Sequence, residues 1–180
     1  IKEVGFELYQ SMLEEAINDA KTGVSEPVHT RDLSPQITVD APVSIPDTYV
    51  PDLDLRMGLY RRVNELETAA QIEPFAAELI DRFGPLPEET ENLLTLIQIK
   101  LNARQAHIAK IDVGPRGALV SFWNDHFPDP AGLLAYVDRL NGVAKLRPDM
   151  RLQVTRGWAD HKARLNGALQ LSRGLAKIIR

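Results

Sequence analysis

Four histidines and 25 acidic residues are the side chains of this sequence best suited to acid-base chemistry or metal binding, because cysteine is absent. Without a thiol there is no thiolate nucleophile, and zinc-thiolate and iron-sulfur sites lose their ligands. The histidines are scattered along the chain, at His29, His107, His126 and His161. None of them has a second ligand at the spacing that a zinc site uses.

One short segment could in principle hold a metal ion, because Asp125, His126 and Asp129 lie close together in the sequence. However, Asp129 directly precedes Pro130, and this pair is typical of an N-cap followed by the first residue of a helix. The cap explains Asp129 without a metal ion. We therefore predict no metal site.

Motifs of nucleotide-binding enzymes and serine hydrolases are also absent. The sequence has no G-x-x-x-x-G-K phosphate loop and no dinucleotide fingerprint, and the GPRG segment at 114–117 is too short and opens a strand. No serine lies in a nucleophile elbow. Acidic pairs occur at predicted helix starts, where the helix dipole accounts for them. We predict no catalytic residue and no cofactor, and hence a domain that is not an enzyme.

Glu78 and Asp81 form the most specific candidate site. At about 100° per residue, the apolar stripe of their helix centres near Leu79 and Phe83, and both carboxylates project from the opposite side, one turn apart. Such pairs often only solvate a helix. A partner that presents arginines would nevertheless find here a compact, bidentate target, so both interpretations stay open.

The helix that carries this pair contains an internal proline. Thr68 and Gln71 resemble a capping box at its start, and apolar residues follow at helical spacing up to Phe83. Pro74 lies well inside this pattern, where it removes a backbone hydrogen bond and clashes with the preceding turn. We expect either a kink or a helix that begins near Pro74.

The periodicity along the whole chain predicts an α+β fold with a small mixed or antiparallel sheet. The predicted elements are a separate N-terminal helix at 4–21, an edge strand at 37–43, helices at 52–66, 68–83 and 87–107, a β-hairpin at 108–122, a helix at 129–140, strands at 143–147 and 151–156, and a last helix capped by Asp160. Because these elements do not form repeated βαβ units, α+β is favoured over a doubly wound sheet.

The N-terminal helix has an apolar face but no domain of its own to bury it against. The segment that follows, up to about residue 35, loses the periodicity and carries two prolines, so it is typical of a linker. We expect the chain to be a piece of a longer polypeptide. No stretch approaches the roughly 18 apolar residues that a membrane span needs, and no signal peptide is evident. These features predict a soluble, cytoplasmic protein.

The formal net charge of −4 hides an asymmetry. Up to Asp138 there are 11 basic and 23 acidic residues, and from Arg139 onward there are 10 basic and 2 acidic ones. The basic segment 139–180 could contact nucleic acid phosphates or an acidic protein surface. It could equally be the solvated faces of strands and a helix. Only Trp158 is available for base stacking, which argues against a single-strand platform.

Four segments closely resemble the C-terminal region of bacterial transcription-repair coupling factors. They are GFELYQSMLEEAI at 5–17, YVPDLDLRMGLYRRV at 49–63, ELIDRFGPLPEETENLL at 78–94 and KIDVGPRGALVSF at 110–122. The similarity spans essentially the whole chain in order, and ELIDRFGPLP is highly specific to that family. Pro74 and the longer linker depart from the family pattern.

The resemblance implies a division into the last helix of an upstream translocase motor at 1–22, a linker at 23–35 and a C-terminal regulatory domain at 36–180. Family members are ATP-driven DNA translocases that displace RNA polymerase stalled at a lesion and recruit the UvrA repair protein through a UvrB-like N-terminal module. ATP and magnesium belong to motor domains that this chain lacks. The regulatory domain is expected to pack on the UvrB-like module, mask UvrA binding and restrain the motor.

On that resemblance, Glu78 and Asp81 are expected to contact arginines of the UvrB-like module, within the same protein. UvrA and RNA polymerase would be indirect partners, DNA would be bound through the parent, and no membrane is involved. The runner-up is a nucleic-acid-binding module that uses the basic segment 139–180. A carboxylate-dependent hydrolase ranks last, since it needs two acids that converge in one pocket.

Overall fold

The computed structural model describes residues 34–179, in which five α-helices and five β-strands alternate irregularly. The elements are β1 (Gln36–Thr38), α1 (Leu53–Asn64), α2 (Ala69–Phe83), α3 (Glu88–Gln105), β2 (Ile108–Gly114), β3 (Gly117–Phe122), α4 (Pro130–Arg139), β4 (Ala144–Leu146), β5 (Leu152–Thr155) and α5 (His161–Ile178). The predicted α+β class and the β-hairpin are confirmed. The predicted helix at 4–21 lies outside the described residues.

The described chain divides into two compact units. Residues 42–94 form a helical unit, which contains α1, α2 and the first turns of α3. Residues 34–41 and 95–179 form a sheet unit, which contains the rest of α3 and all five strands. Within the described segments, no helix is both long enough and apolar enough to cross a membrane.

The helical unit begins with α1, whose start is fixed by a side-chain cap. The carboxylate of Asp52 accepts a hydrogen bond from the backbone amide of Leu55 at 2.8 Å, which satisfies one of the free donors of the first turn. One face of α1 then buries Leu59, Tyr60 and Val63. Arg61 and Arg62 occupy the last turn, where cations are favoured by the helix dipole.

The start of α2 follows the capping box that the sequence predicts. The side chain of Gln71 accepts hydrogen bonds from the backbone amides of Glu67 and Thr68, at 2.8 and 3.1 Å. Because this cap fixes the first turn, α2 begins at Ala69 and continues through Pro74. The expectation of a helix that begins near Pro74 is therefore wrong. Pro74 has no amide to donate to the carbonyl of Ala70, and Ala70 is an exposed residue.

The end of α2 is held by Tyr49. The hydroxyl of Tyr49 donates within reach of two backbone carbonyls, those of Leu79 at 3.0 Å and Gly84 at 2.7 Å. Gly84 adopts φ 91°, a conformation open to glycine, and stops the helix. Leu79 is fully buried, whereas Ile80, which the predicted apolar stripe also includes, is 48% exposed.

The sheet unit is a five-stranded sheet in the order β1-β2-β3-β5-β4. β1 runs parallel to β2, with Ile37 opposite Ile111, and the other pairs are antiparallel, so the sheet is mixed. β1 lies at an edge, as predicted, but it ends at Thr38 and is shorter than the predicted strand at 37–43. Alternate residues such as Ile111, Val120 and Leu152 are fully buried and form the core of this unit.

Helices α4 and α5 pack on the sheet, and both begin at the caps that the sequence predicts. Asp129 accepts a hydrogen bond from the amide of Gly132 at 2.9 Å, and Asp160 accepts one from Ala163 at 2.8 Å. α5 contacts β2 and β3, and α4 contacts β4. Asp129 therefore has the structural role that the sequence assigned to it.

Candidate functional site

Glu78 and Asp81 both lie on the outer side of α2, at the surface of the helical unit. Leu79, between them, is fully buried and fixes the orientation of the helix. The side chain of Glu78 is 37% exposed, and Asp81 is exposed. The structure thus places both carboxylates at the surface, as the helical spacing predicts, but it gives them different neighbours.

Glu78 is held by two arginines of its own unit. Arg62, in the last turn of α1, donates through both terminal nitrogens of its guanidinium group: Nη1 to Oε2, and Nη2 to Oε1 at 2.9 Å. Arg82, one turn further along α2, donates from Nη1 to Oε2 at 3.2 Å. Only the four residues 65–68 separate α1 from α2, and the last turn of α1 lies beside Glu78.

This ion cluster changes the acidity of Glu78. The hydrogen bond from Arg62 is the largest cause, and together with the charges of Arg62 and Arg82 it lowers the pKa of Glu78 from 4.5 to about 2. The same hydrogen bond raises the pKa of Arg62. Both groups are therefore fully charged at neutral pH, and the cluster formed by Glu78 and its two arginines carries a net positive charge.

The two predicted site residues are consequently not equivalent. A carboxylate has about four lone-pair positions, and Arg62 and Arg82 already fill three of those on Glu78. Asp81, by contrast, makes no side-chain hydrogen bond or ion pair with any residue in the described part of the chain. A docking arginine would find Asp81 free and Glu78 largely occupied.

Sequence reasoning missed Arg62, although a signal for it was present. Its guanidinium group also stacks over the ring of Phe75, 5.0 Å from the centroid, so two neighbours on α2 hold it. A shallow groove of about 410 Å³ lies alongside and is also lined by Leu66 and Pro74. Basic residues at the end of one helix of a hairpin can pair with acidic residues on the next, and this pattern could have pointed to Arg62.

The structure does not bring the other candidate residues, Asp125, His126 and Asp129, together as a metal site. Among residues 34–179, no three His, Cys, Asp or Glu side chains approach closely enough to hold a metal ion. Asp129, which the sequence places near Asp125 and His126, caps α4.

The basic segment from Arg139 divides into paired and open positions. Arg147 and Arg151 both reach Asp149, at 3.1 and 3.9 Å, and Arg164 lies 3.8 Å from Asp40. Lys145 and Arg156 are exposed and make no ion pair within 34–179.

Tyr136 lies near two of the arginines of this segment. The guanidinium group of Arg139 lies 5.8 Å from the ring centroid of Tyr136. Burial raises the pKa of the Tyr136 hydroxyl, and the charges of Arg139 and Arg156 partly oppose that rise.

Comparisons with known proteins agree with the resemblance noted in the sequence. Residues 39–133 match the family described as the TRCF domain. The transcription-repair-coupling factor of Rickettsia conorii is 42% identical over 155 residues, which cover 84% of this chain and 13% of that protein. The Escherichia coli protein of the same description is 30% identical over 175 residues, covering 96% of this chain and 15% of that protein. The chain therefore spans only a small fraction of the relatives that it matches.

The fold also has a solved counterpart. A crystal structure described as the C-terminal domain of transcription-repair coupling factor aligns with a TM-score of 0.68 and covers 81% of this chain and 93% of that chain. Their sequence identity is 18%, so this comparison supports the fold alone.

Proposed function

Because the chain belongs to the transcription-repair coupling factor family and corresponds to its C-terminal region, we propose that it is a non-catalytic, autoinhibitory interaction domain. In this proposal it packs on the UvrB-like module of the same cytoplasmic protein, masks the UvrA-binding surface and restrains the ATP-driven motor. The contact opens when the parent engages RNA polymerase stalled at a DNA lesion.

The observation that carries the proposal is the exposed acidic face of α2. Asp81 is a surface carboxylate without a partner among residues 34–179, and Glu78 lies one turn away on the same helix. An arginine of a partner protein can form charge-assisted hydrogen bonds with such a face, which give specificity and fast association. Since this attraction acts between partly exposed charges, it should weaken with added salt.

Binding of the 180-residue chain to the isolated UvrB-like module tests the proposal. Replacing both acids, Glu78→Arg with Asp81→Arg, should weaken this binding by at least about tenfold, because two attractive charges become repulsive. The single change Asp81→Arg leaves the Arg62–Glu78 pair intact and should weaken binding in the same direction. Glu73→Arg with Asp138→Arg is the matched control, since both residues are exposed and the net charge changes equally. If the first double variant bound like the control, the site assignment would be wrong.

The intact parent offers a second readout. When two surfaces compete for one module, weakening the internal contact raises the affinity for the external partner by the coupling factor, typically about 5- to 150-fold. The Asp81→Arg parent should therefore bind UvrA more tightly than the unchanged parent. Equal UvrA affinities would contradict autoinhibition through this face.

A second candidate function is nucleic acid binding by the basic segment 139–180. The observation that favours it is that two exposed arginines, Arg116 and Arg156, are neighbours at one end of the sheet. The backbone amide of Arg156 donates to the carbonyl of Arg116 at 3.0 Å, and neither side chain has an ion-pair partner within the described residues. This candidate requires affinity for duplex DNA that falls steeply with salt.

A further inference from the structure

The contact between Arg62 and Glu78 bears on how any arginine of a partner reaches this surface. The carboxylate of Glu78 accepts from both terminal nitrogens of Arg62, and its Oε2 also accepts from Arg82. Summed over these three side chains the charge is +1, so the two arginines offset much of the attraction of Glu78 for a further cation. Asp81, one turn away on α2, and Glu65, whose charge also raises the pKa of Arg62, supply further negative charge nearby.

We propose that Arg62 is an internal competitor: it occupies both oxygens of Glu78 while the surface is free, and an arginine of the docking partner must displace it to form a two-point contact with that carboxylate. This inference rests on the proposed function, because it concerns the same acidic face. Arg62 lies on α1, yet by this inference it controls how strongly the partner binds to the acidic face of α2.

The geometry makes displacement feasible. The Arg62–Glu78 pair is partly exposed, with 45% of the Arg62 side chain and 37% of the Glu78 side chain accessible, so water and salt weaken it. Arg62 also has a second position of contact, because its guanidinium group already stacks over the ring of Phe75. After leaving Glu78 it can keep this cation–π contact beside the groove. Arg82 donates only one bond and competes less.

Removing the positive charge of Arg62 should therefore strengthen binding to the UvrB-like module, whereas removing Asp81 should weaken it. In titrations of the full chain with the isolated UvrB-like module, we expect Arg62→Gln to tighten binding by about two- to fivefold, the range that an exposed ion pair represents. Arg61→Gln is the matched control, because Arg61 is an exposed neighbour on α1 that makes no contact with Glu78. Arg61→Gln removes the same positive charge, so it measures how much binding changes merely because the chain repels the partner's arginines less.

Two further measurements separate the effect of the paired guanidinium hydrogen bonds of Arg62 from the effect of its charge. Arg62→Lys keeps the cation but cannot form the paired hydrogen bonds of a guanidinium group, so it should tighten binding less than Arg62→Gln. The pKa of Glu78, followed by NMR, should rise from about 2 toward its ordinary value in Arg62→Gln and stay low in Arg61→Gln. Thermal unfolding of each variant confirms that it is folded.

The possible outcomes distinguish this inference from the proposed function. Tighter binding by Arg62→Gln alone supports the competition. Unchanged or weaker binding by Arg62→Gln, with binding still lost in Asp81→Arg, overturns the competition and leaves the proposed function standing. If the unchanged chain does not bind the module, both are overturned. If Arg61→Gln tightens binding as much as Arg62→Gln, the effect is general electrostatics and the competition is rejected.

Discussion

Glu78 and Asp81 illustrate how far helical spacing alone can describe a site. The spacing places both carboxylates on the outer side of α2 because Leu79 must be buried, and the structure agrees. It does not reveal Arg62, since that contact joins residues 16 positions apart, on two helices. The rotation of α1 relative to α2 depends on how Leu59, Val63 and Phe75 pack, and no local pattern encodes it.

The pKa of Glu78 gives a stability prediction at this scale. A carboxylate whose pKa is lowered on folding stabilises the folded state above its ordinary pKa, and this contribution is lost as the pH falls through the folded value. The difference in unfolding free energy between the unchanged chain and Glu78→Gln should therefore be constant above about pH 5. It should shrink between pH 4.5 and about 2, the two pKa values of Glu78.

Denaturant unfolding at several pH values, in low salt, measures this difference. Asp81→Asn is the control, because Asp81 has no partner among the described residues, and its unfolding curve should follow that of the unchanged chain. High salt should reduce the effect of Glu78→Gln, since the ion pair is partly exposed. A pH-independent difference would show that the ion pair does not contribute as described.

At the scale of the elements, local signals predict starts and stops well. The caps at Thr68, Asp129 and Asp160 are found where the sequence places them, because a cap satisfies free amides at the start of its own helix. The hairpin of β2 and β3 is also confirmed.

The short strand β1 was harder to predict. Its limits depend on pairing with β2, and Ile37 finds Ile111 only in the folded chain. The alternation at 37–43 carries no information on where that pairing stops.

The hairpin between β2 and β3 offers a test of backbone geometry. Gly117 adopts φ 131°, and a Cβ atom there would lie 1.8 Å from the carbonyl oxygen of Val154 on β5. Gly117→Ala should therefore destabilise the sheet unit by more than about 2 kcal/mol, because the backbone of one strand must move.

Gly114→Ala, at the other end of the same turn, is the matched control. No atom lies within 4 Å of a Cβ atom built there, so its unfolding midpoint should change little. Thermal or denaturant unfolding measures both variants. Similar midpoints for the two would contradict the close approach of β3 and β5.

At the scale of the whole molecule, the charge asymmetry is the property that the sequence alone shows most clearly. Through Asp138 the chain has 11 basic and 23 acidic residues, and from Arg139 it has 10 and 2. The structure refines this count, because Arg147, Arg151 and Arg164 lie within ion-pair distance of Asp149 or Asp40. Fewer cations than the count suggests are thus open to a polyanion.

Titration of the chain with duplex DNA at physiological salt tests whether the remaining unpaired cations bind nucleic acid. If the proposed interaction domain is correct, affinity should be no tighter than the roughly 10⁻⁴ to 10⁻⁶ M of non-specific binding. Arg116→Gln with Arg156→Gln should then change the affinity only slightly. Tight binding that both substitutions abolish would favour the second candidate function instead, with Arg61→Gln and Arg104→Gln as the control pair because both arginines are exposed and lie outside the segment 139–180.

The division of the chain has a consequence for how the molecule is made on the ribosome. β1 belongs to the sheet unit, yet the entire helical unit is synthesised between β1 and its neighbour β2. The backbone amides and carbonyls of β1 therefore have no strand partner until β2 is synthesised, after α1 and α2. Because distant pairings form slowly, the nascent chain should acquire its helical hairpin first and close the sheet edge late.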